Sequence, residues 1–100
     1  MKQRKNGPAD WEKAEKAAQI LKTIAHPIRL QVVDLLEQKD MTVGEIQNAL
    51  GISQSLTSQQ LSLMKSRGIL RSHRVGKLMY YSVEMPEVLH ILECLRKCKT

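Results

Sequence analysis

The stretch TVGEIQNALGISQSLTSQQLSLMKSRGIL, Thr42 to Leu70, decides the fold. It opens on Thr42 with Glu45 three residues on, a capping box that predicts a helix start. Val43, Ile46, Ala49 and Leu50 are apolar at helical spacing, and Gly51 ends the short helix as a left-handed C-terminal residue. Ile52 bridges, and Ser53 caps a second helix over about Gln54 to Arg67, which Gly68 ends. A short helix, a tight Gly-containing turn and another helix form a helix-turn-helix. Between Gln54 and Gln60 the second helix carries Ser, Thr, Gln and one Leu, with no charge. Helix propensity does not favour that density of Ser and Thr. A surface that meets base edges does, because these side chains offer hydrogen bonds without long charged stems. Thr57, Leu61 and Met64 share the face expected to pack inward.

Downstream, Ile69 to Arg74 and Leu78 to Val83 are rich in β-formers, with Val75-Gly76 expected at the turn of a hairpin. Pro86 to Cys98 reads as a last helix, its apolar face formed by Val88, Leu89, Ile91, Leu92 and Leu95. Upstream, Ile28, Leu30, Val32, Val33, Leu35 and Leu36 make a helix that is apolar on more than one side, and such a helix is central. Pro27 separates it from a first helix, which Asp10 caps. Trp11, Ala14, Ala17, Ala18, Leu21 and Ile24/Ala25 form one stripe along that helix. Met1 to Pro8 reads as a flexible basic arm with Lys2, Arg4 and Lys5. The expected organisation is therefore an arm over residues 1–8 and one domain over 9–100. That domain is mainly α: four helices, a β-hairpin wing and a C-terminal helix.

Charge is distributed unevenly. The net charge is +6 and the pI about 9.6, which suggests a polyanionic partner. From Ile46 to Val83 there is no Asp or Glu, while Lys65, Arg67, Arg71, Arg74 and Lys77 fall in that block. A one-signed field over a contiguous block is the footprint expected for nucleic acid. A solvated basic face, or a wing that binds an acidic protein, is the alternative. No Gly-rich phosphate loop, nucleophile–base motif or acid cluster lies in the block, so nothing points to an enzyme. No apolar run approaches the ~20 residues that span a membrane. The polar start lacks a signal-peptide core, which predicts a cytoplasmic protein.

A helix-turn-helix followed at once by a basic hairpin is a winged helix. Three segments resemble the ArsR/SmtB family of bacterial repressors: LKTIAHPIRLQVVDLL (Leu21 to Leu36), the opening stretch from Thr42 to Leu70, and SHRVGKLMYYSV (Ser72 to Val83). They cover most of residues 17–83, and their fixed order is the specific signal. The resemblance implies a homodimer whose first and last helices pair across a two-fold axis. It also implies two recognition helices in successive major grooves of a palindromic operator in double-stranded DNA. The residues agree with a dimer, since the first and last helices have more apolar face than one small core absorbs. The chain departs from the family pattern at Leu56-Thr57, where many relatives have a small residue first, and at Gln60, where many have His.

Position then assigns roles. Ser55, Leu56, Ser58 and Gln59 are the base-edge candidates, with Gln59 suited to adenine and Leu56 to a thymine methyl. Ser53 and Gln54 sit where a helix N-terminus favours phosphate. Arg74 and Lys77 at the wing tip reach backbone or minor groove, and Lys65, Arg67 and Arg71 add phosphate contacts.

Relatives of this kind usually release DNA when an effector binds. The Cys-x-Cys thiolate site of metal-sensing members is absent, because Thr42 and Gly44 occupy its positions. The zinc pairs on the last helix are not supported either, because Met85 and Glu87 replace the first. What remains is a stripe at four-residue steps, His90, Cys94 and Cys98, at the edge of the last helix's apolar face. It has three readings: inert interface cysteines, a thiol sensor of oxidants or reactive sulfur, or a soft-metal or arsenite site. His26 reads as structural, and His73 as a wing residue within reach of phosphate.

Overall fold

A computed structural model describes residues 10–98. The arm expected over Met1 to Pro8 lies outside them. The elements run α1 (Trp11–Ile24), α2 (Pro27–Gln38), β1 (Met41–Thr42), α3 (Val43–Leu50), α4 (Gln54–Ser66), β2 (Leu70–Val75), β3 (Leu78–Val83) and α5 (Pro86–Lys97). The four helices, hairpin and final helix read from the sequence are all present.

The first four helices each begin where a side chain satisfies an otherwise orphaned N–H, whereas α5 starts at Met85-Pro86 with no side-chain cap. Asp10 accepts from the Glu12 N–H at 3.0 Å to start α1. His26 does the same for α2, its Nδ1 accepting from the Ile28 N–H at 3.1 Å, with Pro27 in the first turn. Thr42 and Glu45 close the expected capping box of α3, and Gly51 ends it at φ 68°. Ser53 Oγ accepts from the Leu56 N–H at 3.1 Å and opens α4.

The core gathers on α2, whose Val32, Val33 and Leu36 are buried. Ile46 of α3, Leu61 and Met64 of α4, Ile69, and Val88 and Leu92 of α5 close around it. The helix expected to be central is therefore central: α1, α3, α4, α5 and β3 all pack on α2. The inward face of α4 is the expected one, with Thr57, Leu61 and Met64 buried.

Three boundaries differ from the sequence reading. The hairpin is part of a three-stranded antiparallel sheet in the order β1-β3-β2. Its first strand pairs Met41 with Tyr81 and Thr42 with Tyr80. Two residues carry no alternating pattern, so Thr42 reads only as a cap although it is both cap and strand. The wing turn is Gly76-Lys77, because Val75 pairs with Leu78 inside the ladder; Gly76 takes the positive φ of 63° that a tight turn demands. Finally, α5 stops at Lys97, and Cys98 follows it as an extended C-cap at φ −75°, ψ 125°.

Candidate nucleic-acid interface

The outward surface of α4 is neutral and polar. Ser53, Gln54, Ser55 and Gln59 are exposed, while Leu56 and Ser58 are half-buried. Ser53 spends its acceptor on the cap and keeps its O–H free to donate. Thr57 turns its hydroxyl inward to the Ser53 carbonyl at 2.7 Å, which tightens the first turn. Gln60 departs from the uncharged group it was read with. It is only 8% exposed, and its Oε1 accepts from Arg29 Nε at 2.6 Å. Gln59 and Gln60 are adjacent, but a step of one residue turns a side chain by about 100° around the helix, from solvent to core.

The cations divide into two groups. Arg74 and Lys77, flanking the wing tip, are exposed and form no ion pair among the described residues. Lys65 Nζ donates to Ser72 Oγ at 2.6 Å, which ties α4 to β2 through a neutral partner, and it forms no ion pair among the described residues. Ser72 and Arg74 share one face of β2 by strand alternation, so Arg74 lies on the α4 side of the wing. The others are engaged. Arg71 pairs with Glu84 at 3.1 Å, both side chains more than half exposed. Arg67 points to α1, its Nη1 lying 3.4 Å from Thr23 Oγ1. His73 stacks on Tyr80 across the hairpin at 5.8 Å between centroids and stands 3.7 Å from Asp40.

A second surface lies on the opposite elements. Between α1 and α5 runs an open groove of about 500 Å³ lined by Ala17, Ile20, Leu21 and Ile91, with Lys13, Lys16 and Glu87. Trp11 is 74% exposed, Leu21 51% and Leu95 52%. The apolar stripe read on α1 is thus real but stays largely uncovered in one chain, where only Thr23 and Ile24 are buried. Arg96 bridges α5 to α2, donating to Asp34 and, at 2.6 Å, to Glu37. Hydrogen bonds to Glu37 and then Asp34 hold its pKa above the ordinary arginine value.

His90 and Cys94 lie exposed on α5, and Cys98 is exposed beyond its end. The three-residue stripe is therefore incomplete: the backbone leaves the helix at Cys98, whose N–H donates to the Leu95 carbonyl at 3.1 Å. Among the described residues no three His, Cys, Asp or Glu side chains gather to hold a metal ion, and no helix is long and apolar enough to cross a membrane.

Residues 26–72 match the model of the bacterial regulatory protein family arsR. The transcriptional repressor PagR of Bacillus anthracis is 37% identical over 87 residues, covering 86% of this chain and 87% of PagR. The chain belongs to the ArsR family. Its fold is that of a winged helix-turn-helix DNA-binding transcriptional regulator, with α3 and α4 as the helix-turn-helix and β2–β3 as the wing. Two solved ArsR-like structures carry the likeness into three dimensions. The transcriptional repressor BigR from Xylella fastidiosa superposes with a TM-score of 0.81 at 31% identity, covering 89% of this chain and 93% of that one. The second is the homodimeric winged helix-turn-helix DNA-binding domain of a possible ArsR-family regulator from Mycobacterium bovis. It gives 0.75 at 29% identity, over 88% of this chain and 83% of that one. In this ArsR-family chain the matched segment runs from the cap of α2 through α4 into β2 and contains the whole helix-turn-helix. The residues that sequence reasoning missed are Arg29 and Gln60. The motif order showed both, but nothing local to either says that they meet across 31 positions.

Proposed function

We propose that the protein is a homodimeric, sequence-specific repressor that binds a palindromic operator in double-stranded DNA. The observation that carries this is the exposed, uncharged face of α4 beside Lys65, Arg74 and Lys77, which form no ion pair among the described residues, with no acid anywhere from Ile46 to Val83. On this reading Ser55, Ser58 and Gln59 contact base edges, with Leu56 reaching a methyl group from its half-buried position. Ser53 and Gln54 hold a phosphate at the α4 N-terminus. Lys65, Arg74 and Lys77 neutralise backbone charge, and Arg71 joins them only by giving up Glu84. The dimer is supported by the uncovered apolar surface of α1 and α5, where Trp11, Leu21 and Leu95 lie exposed, and by the homodimeric relative from M. bovis. The domain over residues 9–100 then serves both DNA binding and dimerisation.

The deciding experiment is selection of duplexes from a random-sequence library by the purified protein, followed by titration and sedimentation. An inverted repeat bound by a dimer is the expected result. A chain that stays monomeric and ignores duplexes in dilute salt, yet binds an acidic protein, would make the wing a protein-interaction module instead. A second reading places a thiol-reactive or soft-metal effector at Cys94 and Cys98. Its basis is that both thiols are exposed in one chain, as a reactive or metal-binding cysteine requires; inert interface cysteines would be exposed in one chain too and covered only by the partner. A metal would need a further ligand from the partner chain. Oxidant, arsenite, cadmium and zinc should each be tried on the wild type, Cys94→Ser and Cys98→Ser. If none changes DNA affinity, the effector reading fails and the repressor reading stands.

A further inference from the structure

Arg29 occupies an unusual place in the fold. Its guanidinium joins two helices on either side of it: Nε donates to Gln60 Oε1 of α4 at 2.6 Å, and Nη1 donates to the Thr23 carbonyl at the end of α1 at 2.8 Å. The Thr23 hydroxyl donates to the Gln19 carbonyl at 2.9 Å and accepts from Arg67, the C-cap of α4, at 3.4 Å. The middle and the far end of α4 are therefore both hung on the last turn of α1. Thr23 is 3% exposed and Gln60 8%, so water cannot readily replace either partner, and a broken link leaves an unsatisfied group.

We infer that Arg29, Gln60, Thr23 and Arg67 form a positioning hub that fixes the seat of the recognition helix relative to α1. This inference rests on the dimeric DNA-binding reading above. Apolar contacts already hold α4 to the core through Leu61 and Met64. Such contacts are non-directional and tolerate a small slide or roll. A planar guanidinium with fixed donor directions does not. Of α1, only Thr23 and Ile24 are buried, and its outer face belongs to the proposed dimer surface. The pose that the partner imposes on α1 thus reaches α4 with fixed direction through the turn where the hub sits. In the dimer, the hub sets the separation and roll of two reading helices whose target half-sites lie about one DNA turn apart. Contacts to phosphate alone do not depend on that setting.

The test compares wild type with Gln60→Leu, which removes the acceptor. It also uses Gln60→Glu, which keeps an acceptor for Arg29, and Arg29→Lys, which keeps the charge but cannot bridge both partners. Each is titrated against three probes: a duplex selected by the wild type, a mixed-sequence duplex of the same length, and the selected duplex with one base pair inserted at its centre. The ratio of selected to mixed affinity should fall about tenfold in Gln60→Leu and Arg29→Lys, the scale of one lost charged hydrogen bond. It should return to within about threefold of wild type in Gln60→Glu, because added charge near DNA weakens both probes alike. The penalty for the inserted base pair should shrink in Gln60→Leu. A purely structural role would lower the melting temperature and leave ratio and spacing penalty unchanged, and that result overturns the inference. So does a Gln60→Glu ratio as low as that of Gln60→Leu. If Gln60→Leu does not fold, Arg29→Lys with an unaltered ratio is equally decisive against it. A wild type that selects no duplex removes the DNA reading itself, and the hub's role with it.

Discussion

Replacing Arg74 and Lys77 together by Ala removes two cations from each wing tip, neither of which has an acidic partner among the described residues. A dimer loses four. Each phosphate neutralised contributes about 0.9 to the slope of log affinity against log salt, so the slope should become shallower by about 3.6. Between about 50 and 200 mM salt, the wild type should therefore lose about 150-fold more affinity than the variant. Fluorescence anisotropy with a labelled mixed-sequence duplex at several KCl concentrations measures this directly, and no operator is needed. Arg71→Ala is the internal contrast. Its charge is already met by Glu84 at 3.1 Å, so the slope should move by less than about one. A double variant that keeps the wild-type slope, or an Arg71→Ala variant that flattens it as much as the wing-tip pair does, would refute phosphate neutralisation by the wing tip.

Three further outcomes concern stability, each read by urea unfolding. Thr42→Ala removes the Oγ1 that accepts from the Glu45 N–H in the α3 capping box, leaves the Thr42 N–H to Glu45 bond available, and should cost about 1 kcal/mol. Gly51→Ala should cost about 1 kcal/mol although nothing lies within 4 Å of the added methyl, because the residue sits at φ 68°. Leu61→Ala, at a fully buried site, should cost about 3 kcal/mol. An equal cost at Gly51 and Leu61 would contradict the assignment of one to backbone strain and the other to packing.

The parts of the fold legible in the sequence are those whose cause is local. Caps at Asp10, Thr42 and Ser53 are written in one to three residues, and each appears where read. The inward face of α4 follows from helical spacing. Pairings between distant residues are not written that way. Met41-Thr42 is too short to show alternation, and its strand exists only because Tyr80 and Tyr81 arrive beside it. Gln60 has the chemistry of its neighbours and is separated from them by its partner Arg29, 31 positions away. The apolar stripe of α1 announces a covered surface without saying by what, and in one chain Leu21 and Trp11 remain in solvent. Cys98 is four residues from Cys94, but helical spacing has meaning only while the helix continues, and it stops at Lys97.

The short strand β1 stitches the head of α3 to the inner strand of the wing, with Thr42 opposite Tyr80 while it caps the helix. Hairpin length is consequently adjustable only at its far end. Residues gained or lost around Gly76-Lys77 change how far the arm reaches and leave the Met41–Tyr81 register alone. One residue gained between Asp40 and Val43 would invert the faces of β1 and swing α3 by about 100°. Descendants of this chain that acquire new DNA targets are therefore expected to vary in length at the tip and to keep a constant count across the seam.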